Sequence, residues 1–147
     1  MQLMIEIDDQ ASAGLQELAG SDLPESRRRL VQDAMREALQ RAIEMNPVDT
    51  GRSRAAWVAA LTQAGGSPPP GWRGPHPEGG AIAQGASLGR LEPMDEGDTT
   101  SLTARNGVQY VPFLEYGTSR MSPFAMVRRA LALTQQRVRA LFRFPGK

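Results

Sequence analysis

The chain has 147 residues, and 40% of them are hydrophobic, which suffices for the core of one domain over residues 1–147. Seventeen basic residues stand against sixteen acidic ones, so the net charge of +1 argues against nucleic-acid binding through bulk charge. The chain has no cysteine and one histidine. This composition excludes disulfides and thiol chemistry and argues against a zinc site, so we expect neither a cofactor nor a metal.

The chain carries no sign of membrane insertion or export. No apolar run reaches the length of a membrane span, and the first seven residues lack the basic region and cleavage site of a signal peptide. We therefore expect no membrane partner and folding in a reducing cytoplasm.

The N-terminal third is predicted to be helical. Asp8 or Asp9 can cap a short helix that runs to Leu18 and ends at Gly20. A longer helix is predicted over residues 24–46, because Pro24 suits its first turn and apolar residues recur at helical spacing. Those apolar residues are Leu30, Val31, Ala34, Met35, Ala38, Leu39, Ala42 and Ile43.

A cluster of three arginines, Arg27, Arg28 and Arg29, lies in the first turn of that helix. The helix dipole disfavours positive charge there, so helix stability does not explain the cluster. Two interpretations stay open: a solvated basic face, or a contact with an acidic protein surface or with passing DNA.

Residues 65–80 are almost all glycine and proline, which prevents both a helix and a central strand. A long loop of this kind is usually either mobile or functional. Trp72, between polyproline-like flanks, is a candidate anchor on a neighbouring subunit, and the loop is expected to stay out of the monomer core. His76 is expected to be a solvent-exposed loop residue.

The second half of the chain alternates like an antiparallel sheet. The predicted segments are a weak strand over Ala81–Leu91, an acidic turn over Asp95–Asp98, a strand over Thr99–Arg105, a hairpin turn at Asn106-Gly107 and a return strand over Val108–Tyr116. Pro112 removes a backbone donor from the return strand, so that strand is expected at an edge that another subunit could pair with.

A final helix is predicted over residues 123–142, with Ser122 as its cap and Pro123 at its first position. Its inner stripe is predicted to comprise Phe124, Val127, Leu131, Thr134, Val138 and Leu141. Arginines crowd its other faces. Those near its C-terminus, Arg137, Arg139 and Arg143, suit the helix dipole, or alternatively line a channel or meet an acidic ring.

The tripeptide Asp49-Thr50-Gly51 matches the active-site turn of aspartic proteases, in which two carboxylates share a proton. The context differs, because Pro47 precedes the turn and a helical segment begins at Arg52. We therefore expect Asp49 or Thr50 to cap that helix, and we expect no hydrolytic activity.

Glu115 is the second carboxylate that needs an explanation. On a strand it would share a face with Val111 and Phe113, and a carboxylate among apolar neighbours requires a partner. Arg52 or Arg54 is the expected partner in a structural ion pair that ties the Asp-Thr-Gly-Arg turn to the strand.

Two stretches of the sequence, read in this order, resemble the head–tail joining (neck, or tail-completion) family of long-tailed bacteriophages. The first begins at Pro47, and the second runs from Tyr110 through Thr118 to Phe124; together the resemblance spans roughly residues 28–142. A long Gly/Pro-rich insertion separates the two halves. The residues that carry the resemblance are Asp49, Thr50, Gly51, Arg52, Arg54, Tyr110, Glu115, Tyr116, Gly117, Thr118, Pro123 and Phe124.

The expected fold is α+β, with an antiparallel sheet of about four strands packed against helices at residues 24–46 and 123–142. The resemblance implies a non-enzymatic virion protein of the neck or tail, assembled in the bacterial cytoplasm as a ring. A hexamer is preferred and a dodecamer is the alternative. The implied partners are other copies of the chain, the head-side connector or stopper, and the tail tube. Genomic DNA is expected to pass through the lumen without sequence-specific binding.

The resemblance leaves open whether the protein is a tail-completion or a tail-terminator protein, and whether it faces the connector or the tail tube. Candidate contact residues are Trp72, Pro112, Arg27, Arg28 and Arg29. The alternative function is a small nucleic-acid-binding module that uses the arginine clusters, with binding that weakens as salt rises.

Overall fold

The structure, a computed structural model, describes residues 1–8 and 22–141 and the side chains of residues 1–6 and 24–138. Its elements are β1 (Gln2–Asp8), α1 (Asp22–Met45), α2 (Arg52–Gln63), α3 (Gly79–Ser87), β2 (Gly89–Glu96), β3 (Thr99–Asn106), α4 (Val111–Tyr116) and α5 (Met126–Leu141). The fold is α+β, as predicted. Its described residues contain one sheet of three strands, where about four were expected. Within this part of the chain, no helix is long and apolar enough to cross a bilayer.

The sheet has the order β1-β3-β2, and both pairs are antiparallel. The acidic turn predicted over Asp95–Asp98 is confirmed for Gly97, which adopts a positive φ of 57°, and Asp98, whereas Asp95 and Glu96 belong to β2. The prediction of a hairpin turn at Asn106-Gly107 was wrong, because β3 ends at Asn106 and the next element along the chain is the helix α4. The strand β1 was missed when the N-terminal third was assigned to helices, and the predicted short helix from Asp8 to Leu18 falls on residues outside the described range apart from Asp8.

The long helix predicted over residues 24–46 is α1, and its apolar stripe forms much of the core. Its buried members are Val31, Ala34, Met35, Ala38, Leu39, Ala42 and Ile43. They pack with α2, which buries Trp57 and Leu61, and with inward-facing sheet residues such as Leu3 and Ala104. Burial of this continuous stripe stabilises the layer of helices against the sheet.

The segment predicted as a weak strand, Ala81–Leu91, instead forms α3 followed by the start of β2. Two glycines in this segment pack directly against the backbone of α2. A Cβ atom at Gly85 would lie 2.0 Å from the carbonyl oxygen of Arg52, and one at Gly89 would lie 2.0 Å from that of Ala56. Two glycines therefore let α3 and β2 approach the backbone of α2 more closely than any other residue allows.

The predicted return strand Val108–Tyr116 is also wrong, because its second half is the helix α4. Pro112 lies in the first turn of α4, where its missing N–H costs nothing, and not at a sheet edge. Helical spacing brings Val111 and Glu115 to one buried face and leaves Phe113 exposed.

The final helix begins at Met126, three residues later than Pro123. Ser122 and Pro123 therefore precede the helix, and Ser122 is not its cap. The predicted stripe is otherwise correct for Val127 and Thr134, which are buried, and for the half-buried Leu131 and Val138. Phe124 is exposed, and the side chains of Arg139, Leu141 and Arg143 lie outside the described residues.

The Gly/Pro-rich loop has no helix or strand from Gly66 to Glu78, as predicted, whereas Gly79 and Gly80, which were also predicted to be loop, begin α3. The loop lies against its own chain. Trp72 is half-buried against the core, and its carbonyl oxygen accepts a hydrogen bond from Nη1 of Arg54 at 3.4 Å. The backbone N–H of Glu78 donates to the carbonyl oxygen of Thr50 at 3.1 Å. The expectation that the loop stays out of the monomer core is therefore wrong.

Candidate assembly interface

The Asp-Thr-Gly-Arg turn begins α2 without a side-chain cap. Gly51 occupies the N-cap position with a φ of 91°, and no side-chain oxygen bonds the first helical amides. The carboxylate of Asp49 instead lies 3.0 Å from Nδ1 of His76, with both side chains 78% exposed. The prediction that Asp49 or Thr50 caps the helix is therefore wrong, whereas the exposed position of His76 is confirmed.

The two arginines of the turn have different surroundings. Nε of Arg54 donates to the carbonyl oxygen of Asn46 at 2.7 Å, and its Nη2 donates to that of Glu44 at 3.4 Å. These are carbonyl groups at the C-terminal end of α1, which the helix itself leaves unpaired. Burial lowers the pKa of the Arg54 guanidinium. Arg52 is half-buried, and its Nε has no hydrogen-bond partner among the described residues.

Glu115 does not pair with Arg52 or Arg54, so that prediction is wrong. The side chain is 1% exposed, and its carboxylate accepts hydrogen bonds from the backbone N–H groups of Val127 at 2.8 Å and Arg128 at 3.0 Å. Nε of Arg128 adds a third bond at 3.0 Å. Glu115 therefore caps α5 from a different helix, where both the free amides and the helix dipole favour a negative charge.

A tight loop joins α4 to α5. Gly117 has a φ of 77°, and a Cβ there would lie 2.7 Å from the carbonyl oxygen of Met121. The backbone N–H of Thr118 donates to that same oxygen at 2.8 Å, and the N–H of Phe124 donates to the carbonyl oxygen of Leu114 at 2.8 Å. The Gly-Thr pair of the motif thus folds the chain back so that Phe124 lies beside α4.

The two motif stretches are joined through Asn106, which the sequence analysis treated only as a turn residue. Its Nδ2 donates to the carbonyl oxygen of Ser53 at 2.9 Å, and its Oδ1 accepts the N–H of Val108 at 3.0 Å. Asn46 donates to Oγ of Ser53 at 2.7 Å. All three side chains are buried, and this buried polar network fixes the start of α2 relative to the segment that precedes α4. An Asn-Gly pair has no local feature that distinguishes such a role from a turn.

Four exposed aromatic side chains lie on or next to α4, and we call them the aromatic surface. Tyr110, Phe113 and Tyr116 recur at intervals of three residues, which places them along one side of the helix, and Phe124 follows in the folded-back loop. Their exposed fractions range from 38% to 65%. The guanidinium of Arg128 lies 5.0 Å from the ring centroid of Tyr116, a cation–π contact at its margin.

The cluster Arg27–Arg29 is engaged within the molecule. Arg27 is buried, and it donates from Nε to Oγ1 of Thr100 at 2.9 Å and from Nη2 to the carbonyl oxygen of Gly97 at 3.0 Å. It is therefore an anchor for the β2–β3 turn, and its prediction as a contact residue is wrong.

The two neighbouring arginines are exposed but ion-paired. Arg28 pairs with Asp95, and Arg29 lies 2.5 Å from a carboxylate oxygen of Glu25. Hydrogen bonds from Arg28 and then from Thr100 hold the pKa of the Asp95 carboxyl below its usual value. Both arginines stay candidates for external contact, although their charge is already compensated.

The described residues contain no group of three or more His, Asp or Glu side chains that could hold a metal ion. The residues of interest are instead a frame built by Glu115 and Gly117, which connect α4 to α5, and the aromatic surface that lies on and next to α4. No protein-family model, no curated protein and no solved structure matches the chain.

Proposed function

We propose that this protein is a structural component of a phage neck, which forms a ring at the head–tail junction as a tail-completion or tail-terminator protein. The ring joins the head-side connector or stopper to the tail tube and leaves an axial passage for DNA. We propose a non-enzymatic role, a hexamer as the preferred assembly, and the neck of the virion as its location. The proposal follows from the resemblance of the ordered motifs to the head–tail joining family.

The aromatic surface is the structural observation that supports this proposal. Tyr110, Tyr116 and Phe124 belong to the motif, yet none of them is needed to fill the core, because each is exposed. Exposed aromatic clusters are uncommon on monomeric proteins, and tyrosine and phenylalanine are enriched where proteins bind one another. Motif residues that lie on the surface rather than in the core support a role in contact.

The frame behind this surface supports the same conclusion. Glu115 bonds the first amides of α5, and the return of the chain at Gly117 holds Phe124 beside α4. A surface held by buried bonds loses little conformational entropy when it binds, which favours a defined geometry between subunits. A closed ring requires the same angle at every contact.

The nucleic-acid-binding alternative has weaker support. Arg27 is buried, Arg28 and Arg29 are ion-paired, and on α5 Arg128 and Arg137 pair with Glu115 and Glu37 respectively. Arginines compensated in this way release few counterions on binding DNA. Salt-sensitive binding of duplex DNA by the purified protein, without assembly, would favour the alternative.

The decisive experiment measures assembly of the purified chain. Light scattering coupled to size exclusion should give about 96 kDa for a hexamer, six times the 16.0 kDa of one chain, or about 192 kDa for a dodecamer. Negative-stain images should show rings with a central opening. A gold-labelled antibody should then mark the head–tail junction of virions that contain this protein. A monomer at every concentration, with no label at the neck, would refute the proposal.

A further inference from the structure

The Gly/Pro-rich loop contains three consecutive prolines at residues 68–70, which we call the proline segment. Each proline fixes its own φ at about −65°, and a residue that precedes a proline is held in an extended conformation. The run therefore favours the polyproline II helix, which has about three residues per turn. In agreement with this, residues 66–70 form no helix or strand in the structure.

Both ends of the proline segment are held by its own subunit. On one side the carbonyl oxygen of Ser67 accepts a hydrogen bond from the side-chain amide of Gln40 at 3.4 Å. On the other side Trp72 is half-buried against the core, and its carbonyl oxygen accepts a bond from Nη1 of Arg54 at 3.4 Å. Pro70, between these two anchors, is exposed. A segment that is already ordered loses little conformational entropy when it binds a partner.

The proline segment offers hydrogen-bond acceptors and no donors. Proline has no backbone N–H. Among the described residues, no hydrogen bond reaches the carbonyl oxygens of Pro68, Pro69 or Pro70. Polyproline II segments dock on surfaces lined by aromatic rings. A matching surface therefore consists of exposed aromatic side chains that also carry hydrogen-bond donors.

The aromatic surface has this chemistry and a suitable length. Tyr110, in helical conformation just before α4, and Tyr116 are 38% and 65% exposed, and their hydroxyl groups have no hydrogen-bond partner among the described residues. Six helical residues separate the two tyrosines, which gives a rise of about 9 Å. Three residues of polyproline II also rise about 9 Å. Phe113 lies between the tyrosines, so the three prolines match the length of the three rings.

The margins of the two surfaces carry opposite charges. Arg120 lies in the loop between Tyr116 and Phe124. Glu44 lies one turn after Gln40, on the face of α1 that bonds the start of the proline segment. The side chains of Arg120 and Glu44 are exposed, and neither has an ion-pair partner within the described residues. Opposite charges at the rim of a contact favour the correct pairing of two surfaces.

We propose that the aromatic surface of one subunit binds the proline segment of a second copy of this chain. The segment of the same subunit is not the occupant, because Gln40 and Arg54 hold its flanks while Phe113 and Tyr116 stay 57% and 65% exposed. Two different surfaces meet in this contact, so it is heterologous, and a heterologous contact generates a ring when the rotation closes. The inference rests on the proposed function and names the two surfaces that join its subunits.

Assembly of full-length variants tests this contact. A segment variant carries Pro68→Ala, Pro69→Ala and Pro70→Ala, which release the polyproline II conformation, and it should be monomeric by light scattering. The matched control carries Pro75→Ala and Pro77→Ala, at exposed positions of the same loop outside the segment, and it should assemble like wild type. Thermal melting followed by circular dichroism should show that both variants stay folded.

Mixing two defective variants gives a sharper test. The segment variant keeps the aromatic surface, and a surface variant with Phe113→Ser and Tyr116→Ser keeps the proline segment. Neither should bind itself. A fluorescently labelled segment variant titrated with the surface variant should show saturable binding at one-to-one stoichiometry, because one intact contact forms between them. The control titrant is a chain with both sets of changes, which should bind about tenfold more weakly or worse.

The outcomes separate this inference from the proposed function. Rings in the segment variant, or no binding between the two variants, would overturn the inference and leave the proposed function standing, and the aromatic surface would then bind another protein. If wild type forms no rings, the proposed function fails, and binding between the two variants still decides the inference.

Discussion

The carboxylate of Glu115 lies 3.0 Å from Nε of Arg128, and Nη2 of Arg128 returns to the carbonyl oxygen of Glu115 at 2.8 Å. One arginine thus holds both the side chain and the backbone of a buried glutamate. The same carboxylate caps α5 through two backbone amides. The bonds of Glu115 therefore connect α4 directly to the first turn of α5.

Replacing Glu115 with Gln should reduce the free energy of unfolding by about 1–3 kcal/mol, because charge-assisted bonds are lost and a buried amide is left poorly paired. Urea denaturation measures the change. Arg129→Gln, at an exposed neighbour on α5, is the control and should change stability by less than about 0.5 kcal/mol. In double-mutant cycles Glu115 should couple to Arg128 by more than about 0.5 kcal/mol and be additive with Arg54. Coupling to Arg54 instead would contradict the geometry.

Gly85→Ala and Gly89→Ala should each destabilise the fold by about 1–3 kcal/mol or prevent folding, because the added methyl group would collide with backbone carbonyls of α2. The intrinsic helix preference of alanine favours Gly85→Ala by about 1 kcal/mol, which is smaller than the cost of that collision. Gly79→Ala is the matched control, since no atom lies within 4 Å of its Cβ position. Equal thermal stability of all three variants would disprove the close approach.

The turn before α2 should depend on Gly51 and not on Asp49. Gly51→Ala should cost about 1–3 kcal/mol, since alanine is strained at a φ of 91° and its Cβ would lie 2.9 Å from Cγ1 of Ile82. Asp49→Ala should change stability by less than about 0.5 kcal/mol, because this exposed carboxylate caps nothing. Chemical denaturation measures the free energy of unfolding of both variants. A larger loss of stability in Asp49→Ala than in Gly51→Ala would mean that Asp49 caps α2 after all.

Acid should loosen the β2–β3 turn through Asp95. Its pKa is lower in the folded protein than the ordinary 3.8, so its stabilising effect is complete above that value and is lost as pH falls through the lower, folded pKa. Thermal melting between pH 6 and pH 2 measures this loss. Asp95→Asn should flatten the acid limb of the curve and lower stability near neutral pH. If the melting temperature depends on pH in the same way in wild type and in Asp95→Asn, ionised Asp95 does not contribute to stability.

The aromatic surface should affect assembly without affecting folding. Phe113→Ser and Tyr116→Ser remove exposed side chains, so the thermal transition should stay close to that of wild type, while the proposed ring should dissociate at micromolar concentration. Leu133→Ser is the control, because Leu133 is a comparably exposed apolar residue on α5. Light scattering compares the three variants, and intact rings in both aromatic variants would place the subunit contact elsewhere.

Much of the helical layer could be predicted from local pattern. Between Val31 and Ile43 apolar residues recur at a constant helical spacing over more than three turns, and they are buried as expected. Short elements were harder. The six residues of α4 fit a strand alternation as well as a helix, and only the burial of Val111 with Glu115 and the pairing of Glu115 to α5 decide between them. Those contacts join residues that are distant in the sequence, so no local sequence pattern indicates them.

The partners of charged residues were the least predictable part of the site. Glu115 was expected to pair with Arg52 or Arg54 because a carboxylate among apolar neighbours needs a partner, yet the amides at the start of α5 and the guanidinium of Arg128 supply that partner. Arg27 was grouped with Arg28 and Arg29 by sequence alone, whereas a rotation of roughly 100° per helical residue places Arg27 on a buried side of α1 and the other two on exposed sides. Sequence proximity does not indicate which face of a helix a charge occupies.

The amide of Gln63 has a consequence for solubility. Gln63 accepts the N–H of Leu91 at 2.9 Å and donates to the carbonyl oxygen of Gly89 at 3.3 Å, so it covers backbone groups at the outer edge of β2. An uncovered strand edge is a template on which another chain can pair. Replacing Gln63 with Ala would expose this edge beside Leu91, so one glutamine side chain on a helix protects the sheet from edge-to-edge aggregation.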